Sequence, residues 1–189
     1  MGNLLSVLWS QISGVREVKI CMLGLDGAGK TTLLYALHLG TPVATHPTIG
    51  SNVEELTRGA LRLRVWDLGG QASLRPSWRA YFDHTAAVIM VVDAADPGRF
   101  GVAAAELAGV LAAEELADAA LLVYANKQDV GGAVGVEGVA DALGLAALPT
   151  GGGEGGIGGR PWHIQGCSAL TREGIGGGID WIVSQVAGK

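Results

Sequence analysis

Positive charge is scarce in this sequence, and so are cysteines, long apolar runs and the marks of a secretory leader. The 189 residues carry 13 Lys and Arg against 18 Asp and Glu, a formal net charge of −5. Such a surface has no general attraction for a phosphate backbone, so nucleic acid is not an expected partner and any anion site must be local. The two cysteines, Cys21 and Cys167, lie in apolar strand-like stretches without metal-ligand spacing. They are too few for a disulfide framework, which points to a reducing, cytoplasmic setting. Apolar residues make up 49% of the chain, yet they fall in runs of about 6–8, short of the ~20 that a membrane span needs. The N-terminus lacks a basic start, an apolar core and a small-residue cleavage site, so it is expected to stay on the mature protein.

What is present is an alternation of apolar strands and helices. Val18–Gly24 reads as a strand that ends at a glycine-rich turn, and Lys30–Leu39 reads as the helix that follows. Ser51–Thr57 and Ala60–Trp66 flank Arg58-Gly59 and read as a hairpin, with Leu61, Leu63 and Val65 on one face and Arg62 and Arg64 on the other. Ala86–Val92 and Ala119–Tyr124 are continuous apolar runs, as in strands buried on both faces. Val102–Leu116 has helical spacing between them; Trp162–Ser168 reads as a last strand and Ile175–Val186 as a closing helix with a poor start at Gly176-Gly177-Gly178. Strands separated by helices predict an α/β fold of three layers, with a mostly parallel six-stranded sheet, one antiparallel edge hairpin strand and helices on both faces. The length suits one domain over residues 15–189, preceded by an amphipathic helix over residues 1–14. Residues 151–159 hold seven glycines and are expected to form a flexible surface loop.

The chemistry begins at Gly24-Leu25-Asp26-Gly27-Ala28-Gly29-Lys30-Thr31, followed by Thr32. Glycines at 24 and 29 with Lys30 and Thr31 fit a phosphate loop: backbone N–H groups cradle a phosphate, Lys30 reaches the β and γ oxygens, and the Thr31 hydroxyl meets Mg²⁺. Composition alone gives such a match a chance of roughly 1%, and its place between strand and helix lowers that further. Trp66-Asp67-Leu68-Gly69-Gly70-Gln71 supplies an acidic residue at a strand end and two glycines. Asp67 can hold Mg²⁺ through a water, the Gly70 N–H can approach a γ-phosphate, and Gln71 can orient the attacking water. Thr48, in Pro47-Thr48-Ile49-Gly50, is a candidate second hydroxyl on Mg²⁺, ordered when a γ-phosphate is present.

Asn126-Lys127-Gln128-Asp129 follows a buried strand and chooses the base. The Asp129 carboxylate can accept both the N1–H and the exocyclic amine of guanine, a donor pair that adenine does not offer. The Lys127 stem can lie over the purine and Asn126 can tie this loop to the phosphate loop. Ser168-Ala169 can add a backbone N–H for the guanine carbonyl. The stretch from Gly40 to Ser51 contains no Arg, so hydrolysis is expected to be slow until a partner donates one. A phosphotransferase or ATPase using the same loop is disfavoured by Asn126–Asp129; a nucleotide-binding scaffold with little turnover is the alternative reading.

Together these segments resemble the ADP-ribosylation-factor-like small GTPases over nearly the whole chain. Ser51-Asn52-Val53-Glu54-Glu55 and Trp162-His163-Ile164-Gln165 bring it nearest the ADP-ribosylation factor-like protein 5 branch. The resemblance implies binding of GTP and GDP with Mg²⁺, slow hydrolysis speeded by an activating protein, an exchange factor that releases GDP, and effector proteins recruited by a monomer. It also implies that the Ser51–Trp66 hairpin shifts register between nucleotide states. Ile49, Ser51, Trp66 and Tyr81 fall at effector-facing switch positions. Ser51 stands where many relatives carry Phe, and Gly27 is unusual within the loop.

Met1-Gly2-Asn3-Leu4-Leu5-Ser6 fits the myristoylation pattern, with Gly2 as acceptor. Leu4, Leu5, Leu8, Trp9 and Ile12 then share one helical face. One acyl chain anchors only marginally, so the helix must contribute to membrane binding. Without Lys or Arg it would do so by apolar insertion. The branch resemblance implies peripheral attachment at the Golgi apparatus, in vesicle tethering and protein transport.

Overall fold

A computed structural model describes residues 15–40, 45–147 and 159–188. The expected helix over residues 1–14, with Gly2, lies outside the described residues, as does the glycine loop except for Gly159.

Six strands form one sheet: β1 (Arg16–Leu23), β2 (Ser51–Arg58), β3 (Leu61–Leu68), β4 (Ala87–Asp93), β5 (Ala120–Asn126) and β6 (Trp162–Gly166). Their order is β2-β3-β1-β4-β5-β6. Every pairing is parallel except β2 with β3, where Ser51 lies opposite Leu68 and Arg58 opposite Leu61. The predicted sheet, with its antiparallel edge strand, is therefore the one observed. Among the described residues four α-helices cover it: α1 (Lys30–Leu39), α2 (Phe100–Leu111), α3 (Val136–Ala142) and α4 (Ile175–Val186).

The period of two in β1 divides the interior into two cores. Val18, Ile20 and Met22 join Leu33 and Leu34 of α1 and Ile179 and Ile182 of α4 on one face. Cys21 and Leu23 join Leu107 of α2 and Val139 of α3 on the other. All seven residues of β5 are buried, and in β4 only Asp93 is not. Each fully buried Leu, Ile or Met contributes about 1.5–3 kcal/mol, so these two central strands set the sheet on which the loops stand.

Helix limits depart from expectation in places with local causes. The segment expected as one helix over Val102–Leu116 is α2 followed by a short 3₁₀ turn, Glu114–Leu116. Ala113 is extended between them, and this break buries both Ala113 and Leu116. Arg75–Tyr81 is a 3₁₀ helix that periodicity did not foresee; Pro76 stands in its first turn and Trp78 is buried. The glycine-rich stretch 131–138 leads into α3, anchored by buried Val139. The poor start of α4 has an explanation in packing: a Cβ at Gly178 would collide with the Tyr124 ring, and the Tyr124 hydroxyl donates to the Ile175 carbonyl at 2.5 Å.

Candidate functional site: a phosphate cradle tied to a base-reading loop

The loop between β1 and α1 surrounds the first residue of that helix. Lys30 is buried, and its ammonium donates to the Gly24 and Leu25 carbonyls, both at 2.9 Å. Burial lowers its pKa, and the Asp67 and Asp26 carboxylates oppose that shift. A positive charge is thus held at the floor of a cavity of about 440 Å³, with Thr31, Thr48 and Gln71 among its walls. Gly27 and Gly29 line the same cavity, as does Thr32, whose hydroxyl is 3.2 Å from that of Thr45.

Three oxygen-bearing side chains converge there from three elements. The Thr31 hydroxyl, on α1, donates to Asp67 Oδ2 at 2.5 Å. Thr48, on the loop before β2, places its hydroxyl 2.8 Å from that of Thr31 and 3.3 Å from Asp67 Oδ2. Asp67, in β3, has no exposed surface, and its Oδ1 has no hydrogen-bond partner among the described residues. Hard oxygen donors beside an orphaned buried carboxylate oxygen fit Mg²⁺, which is commonly held by one or two carboxylates with waters and substrate phosphates. No cluster of three or more His, Cys, Asp or Glu suited to a metal occurs among the described residues, so phosphate oxygens and water must complete such a shell.

Gly70 closes the cradle. A Cβ there would collide with the Gly24 carbonyl and reach the Lys30 ammonium, so only glycine permits this approach. Its carbonyl accepts the Asp26 N–H at 3.1 Å, while Gln71 lies exposed at the cavity mouth. Two arginines that no motif announces brace this corner. Arg75 reaches Gly70 O, Glu106 and Asp26 with its three nitrogens, and Arg99 donates to the Asp26 carbonyl at 2.9 Å. They are distant in sequence and belong to no motif, so only the fold reveals them.

The base-reading end is joined to the cradle through one amide. Asn126 Nδ2 donates to the Ala28 carbonyl at 2.8 Å, and its Oδ1 accepts the Ala169 N–H at 2.9 Å. Both N–H groups of the Ser168-Ala169 pair considered for a guanine carbonyl are therefore bonded within the protein in this structure, that of Ser168 to the Glu173 carbonyl at 3.0 Å. Ser168 is buried and its hydroxyl accepts the Thr171 N–H. Lys127 adopts a left-handed backbone, φ 68°, and its ammonium pairs with Asp93 at 2.6 Å. Asp129 is exposed two residues further on. Ile49, next to Thr48, is 88% exposed, and Trp66 packs against Tyr81 with ring centroids 5.7 Å apart. Ser51 begins β2 opposite Leu68 and is half-buried.

A phosphate loop, a second strand-end Asp and a base-reading loop on a sheet with one antiparallel edge define the class of phosphate-loop nucleotide switches. The comparisons narrow this. The model of the ADP-ribosylation factor family matches residues 4–186. ADP-ribosylation factor-like protein 1 of Saccharomyces cerevisiae is 49% identical over 187 residues, covering 98% of this chain and 97% of the yeast protein. ADP-ribosylation factor 1 of Brassica rapa subsp. pekinensis is 45% identical over 182 residues, 96% of this chain and 95% of that protein. The solved structure of the Arl6 BBS3 small GTPase from Trypanosoma brucei, with bound nucleotide analogue GppNp, is similar at TM-score 0.79 and 28% identity, covering 91% of this chain and 98% of its own. The chain belongs to the ADP-ribosylation factor family. It is a small GTPase, an enzyme that binds GTP and GDP with Mg²⁺ and hydrolyses GTP.

Proposed function

We propose that this GTPase is a membrane-coupled switch that recruits effectors in Golgi vesicle tethering and transport, with its nucleotide site built from the residues named above. The observation that carries the site assignment is the convergence of Thr31, Thr48 and the orphaned Asp67 carboxylate beside Lys30. Lys30 holds the β and γ oxygens, and Mg²⁺, when bound, neutralises phosphate charge. Gly70 offers its N–H to the γ-phosphate, and Gln71 at the cavity mouth orients the attacking water. Thr48 joins this group only from the loop before β2, which makes that loop responsive to the terminal phosphate. Asp129 reads guanine, Lys127 covers the purine, and Asn126 keeps the Ser168-Ala169 turn and the phosphate loop in register.

No arginine lines the cavity among the described residues, and Arg75 and Arg99 are occupied by protein acceptors. This supports slow intrinsic turnover and an activating protein that donates the missing cation. The same observation is what favours the second reading, a scaffold with little turnover; an activator that speeds single-turnover hydrolysis excludes it.

The membrane half rests on Gly2 and the amphipathic pattern of residues 1–14. The acylated helix inserts when GTP is bound, and an exchange factor sets the timing. Ile49, Ser51, Trp66 and Tyr81 present the monomer to effectors, and Ser51 gives that face a polar position of its own. Vesicle flotation tests this reading: N-myristoylated protein with a non-hydrolysable GTP analogue floats with neutral phospholipid vesicles and the GDP form does not. Equal flotation of both forms would defeat the coupling.

A further inference from the structure

The residues that contact nucleotide are accounted for, but the segment that holds two of them in place has a role of its own. Arg75–Tyr81 is too short and irregular to matter as a helix, yet it sends two donors to consecutive peptides beside the phosphate loop. The Trp78 indole N–H donates to the Gly69 carbonyl at 2.9 Å from a side chain only 3% exposed. Arg75 Nε donates to the next carbonyl, Gly70 O, also at 2.9 Å.

In a trans peptide the C=O and N–H point in opposite directions. Fixing the Gly69 carbonyl on the buried indole therefore turns the Gly70 N–H away from that core. This N–H has no hydrogen-bond partner among the described residues, although the residue is buried and lies against Lys30. Fixing the Gly70 carbonyl on Arg75 sets the plane of the following peptide, from which Gln71 begins. The guanidinium is itself anchored, with Nη1 on Glu106 of α2 at 3.2 Å and Nη2 on Asp26 of the phosphate loop at 3.4 Å.

We infer that Trp78 and Arg75 are positioning residues, a two-point clip that aims the Gly70 N–H at the terminal phosphate of GTP and holds Gln71 at the cavity mouth. Arg75 does not act as an arginine finger, because all three of its nitrogens are committed to protein acceptors. The inference rests on the roles given above to Gly70 and Gln71. It makes the clip selective: GDP lacks the phosphate that Gly70 would meet, so the clip acts on GTP and leaves GDP binding alone.

Two variants separate this from ordinary packing. Trp78→Phe keeps an aromatic ring in the core and removes the N–H, and Arg75→Ala removes the second point. Affinities for GTP and GDP are measured separately with Mg²⁺, together with single-turnover hydrolysis. Each variant is expected to lose about tenfold in GTP affinity and about tenfold or more in rate, with GDP affinity within about twofold of wild type. In a Gln71→Ala background the rate loss from Arg75→Ala should shrink to the part that runs through Gly70, whereas the loss of a direct finger would multiply in full. Parallel loss of GTP and GDP affinity, or no change in their ratio, overturns the clip. Gln71→Ala hydrolysing at the wild-type rate would instead remove Gln71 from its role, and the GTP-to-GDP ratio would still decide the clip.

Discussion

Asp67 has a carboxylate with no exposed surface, one oxygen held by threonine hydroxyls and the other without a partner. Burial raises its pKa above the usual carboxylate range, with the Thr31 hydrogen bond and the Lys30 charge pulling the other way. The fold without ligand therefore holds the proton to a higher pH than the unfolded chain does. Stability from this group is present at low pH and is lost as pH rises through the raised value. Asp67→Asn is expected to melt higher than wild type at pH 7 in the absence of nucleotide, with the gap narrowing in mild acid, and to bind GTP with Mg²⁺ more weakly. A nucleotide-free variant that melts lower at neutral pH would contradict this. Asp129→Asn replaces a pure acceptor by a mixed donor and acceptor and should move base preference from guanine toward xanthine; unchanged GTP affinity in a competition titration would take Asp129 out of the site. Gln71→Leu should keep GTP bound in the presence of an activating protein. Hydrolysis at the wild-type rate in that assay would show that water is oriented by another group.

Among the elements, the β5 to α4 contact carries the clearest energetic claim. Gly178 leaves room for Tyr124, so Gly178→Ala is expected to destabilise by about 1–3 kcal/mol through overpacking, even though alanine is the better helix former. Tyr124→Leu should relieve most of that penalty in the double variant. Additive effects in denaturant melts would show that the two residues do not meet. This pair also explains where sequence reading stopped. The limits of α1 and α4 were legible because capping glycines and apolar spacing mark them, and β4 and β5 because their runs are continuously apolar. What the sequence did not announce is why Gly178 stands in the first turn of α4, since the reason, the Tyr124 ring, lies on β5 far earlier in the chain. The 3₁₀ helix Arg75–Tyr81 was invisible for a related reason: Pro76 and mixed polarity hide it, while its hydrogen bonds go to Gly69 and Gly70. In the site, motifs of fixed spacing were readable, but Arg75 met Glu106, and Arg75 and Arg99 met Asp26, only when the chain folded.

At the scale of the whole molecule, the sheet order decides which loops can share a ligand. β1 and β3 are neighbours and parallel, so the phosphate loop and Asp67 lie at the same, carboxyl, end of the strands; β5 and β6 deliver Asn126 and the Ser168-Ala169 turn to that end as well. A net charge of −5 does not prevent anion binding, because Lys30 is buried at this end and its field is little screened. The amphipathic pattern of residues 1–14 belongs to this scale too. Leu8→Glu together with Ile12→Glu should leave GTP affinity unchanged and abolish flotation with vesicles; retained flotation would assign the anchor to another part of the chain.

The side-chain amide of Asn126 gives its nitrogen to Ala28 and its oxygen to Ala169. In the language of circuits, it is a junction between two wires: the loop after β1 and the turn after β6 share one side chain, so a displacement of either is felt at the other.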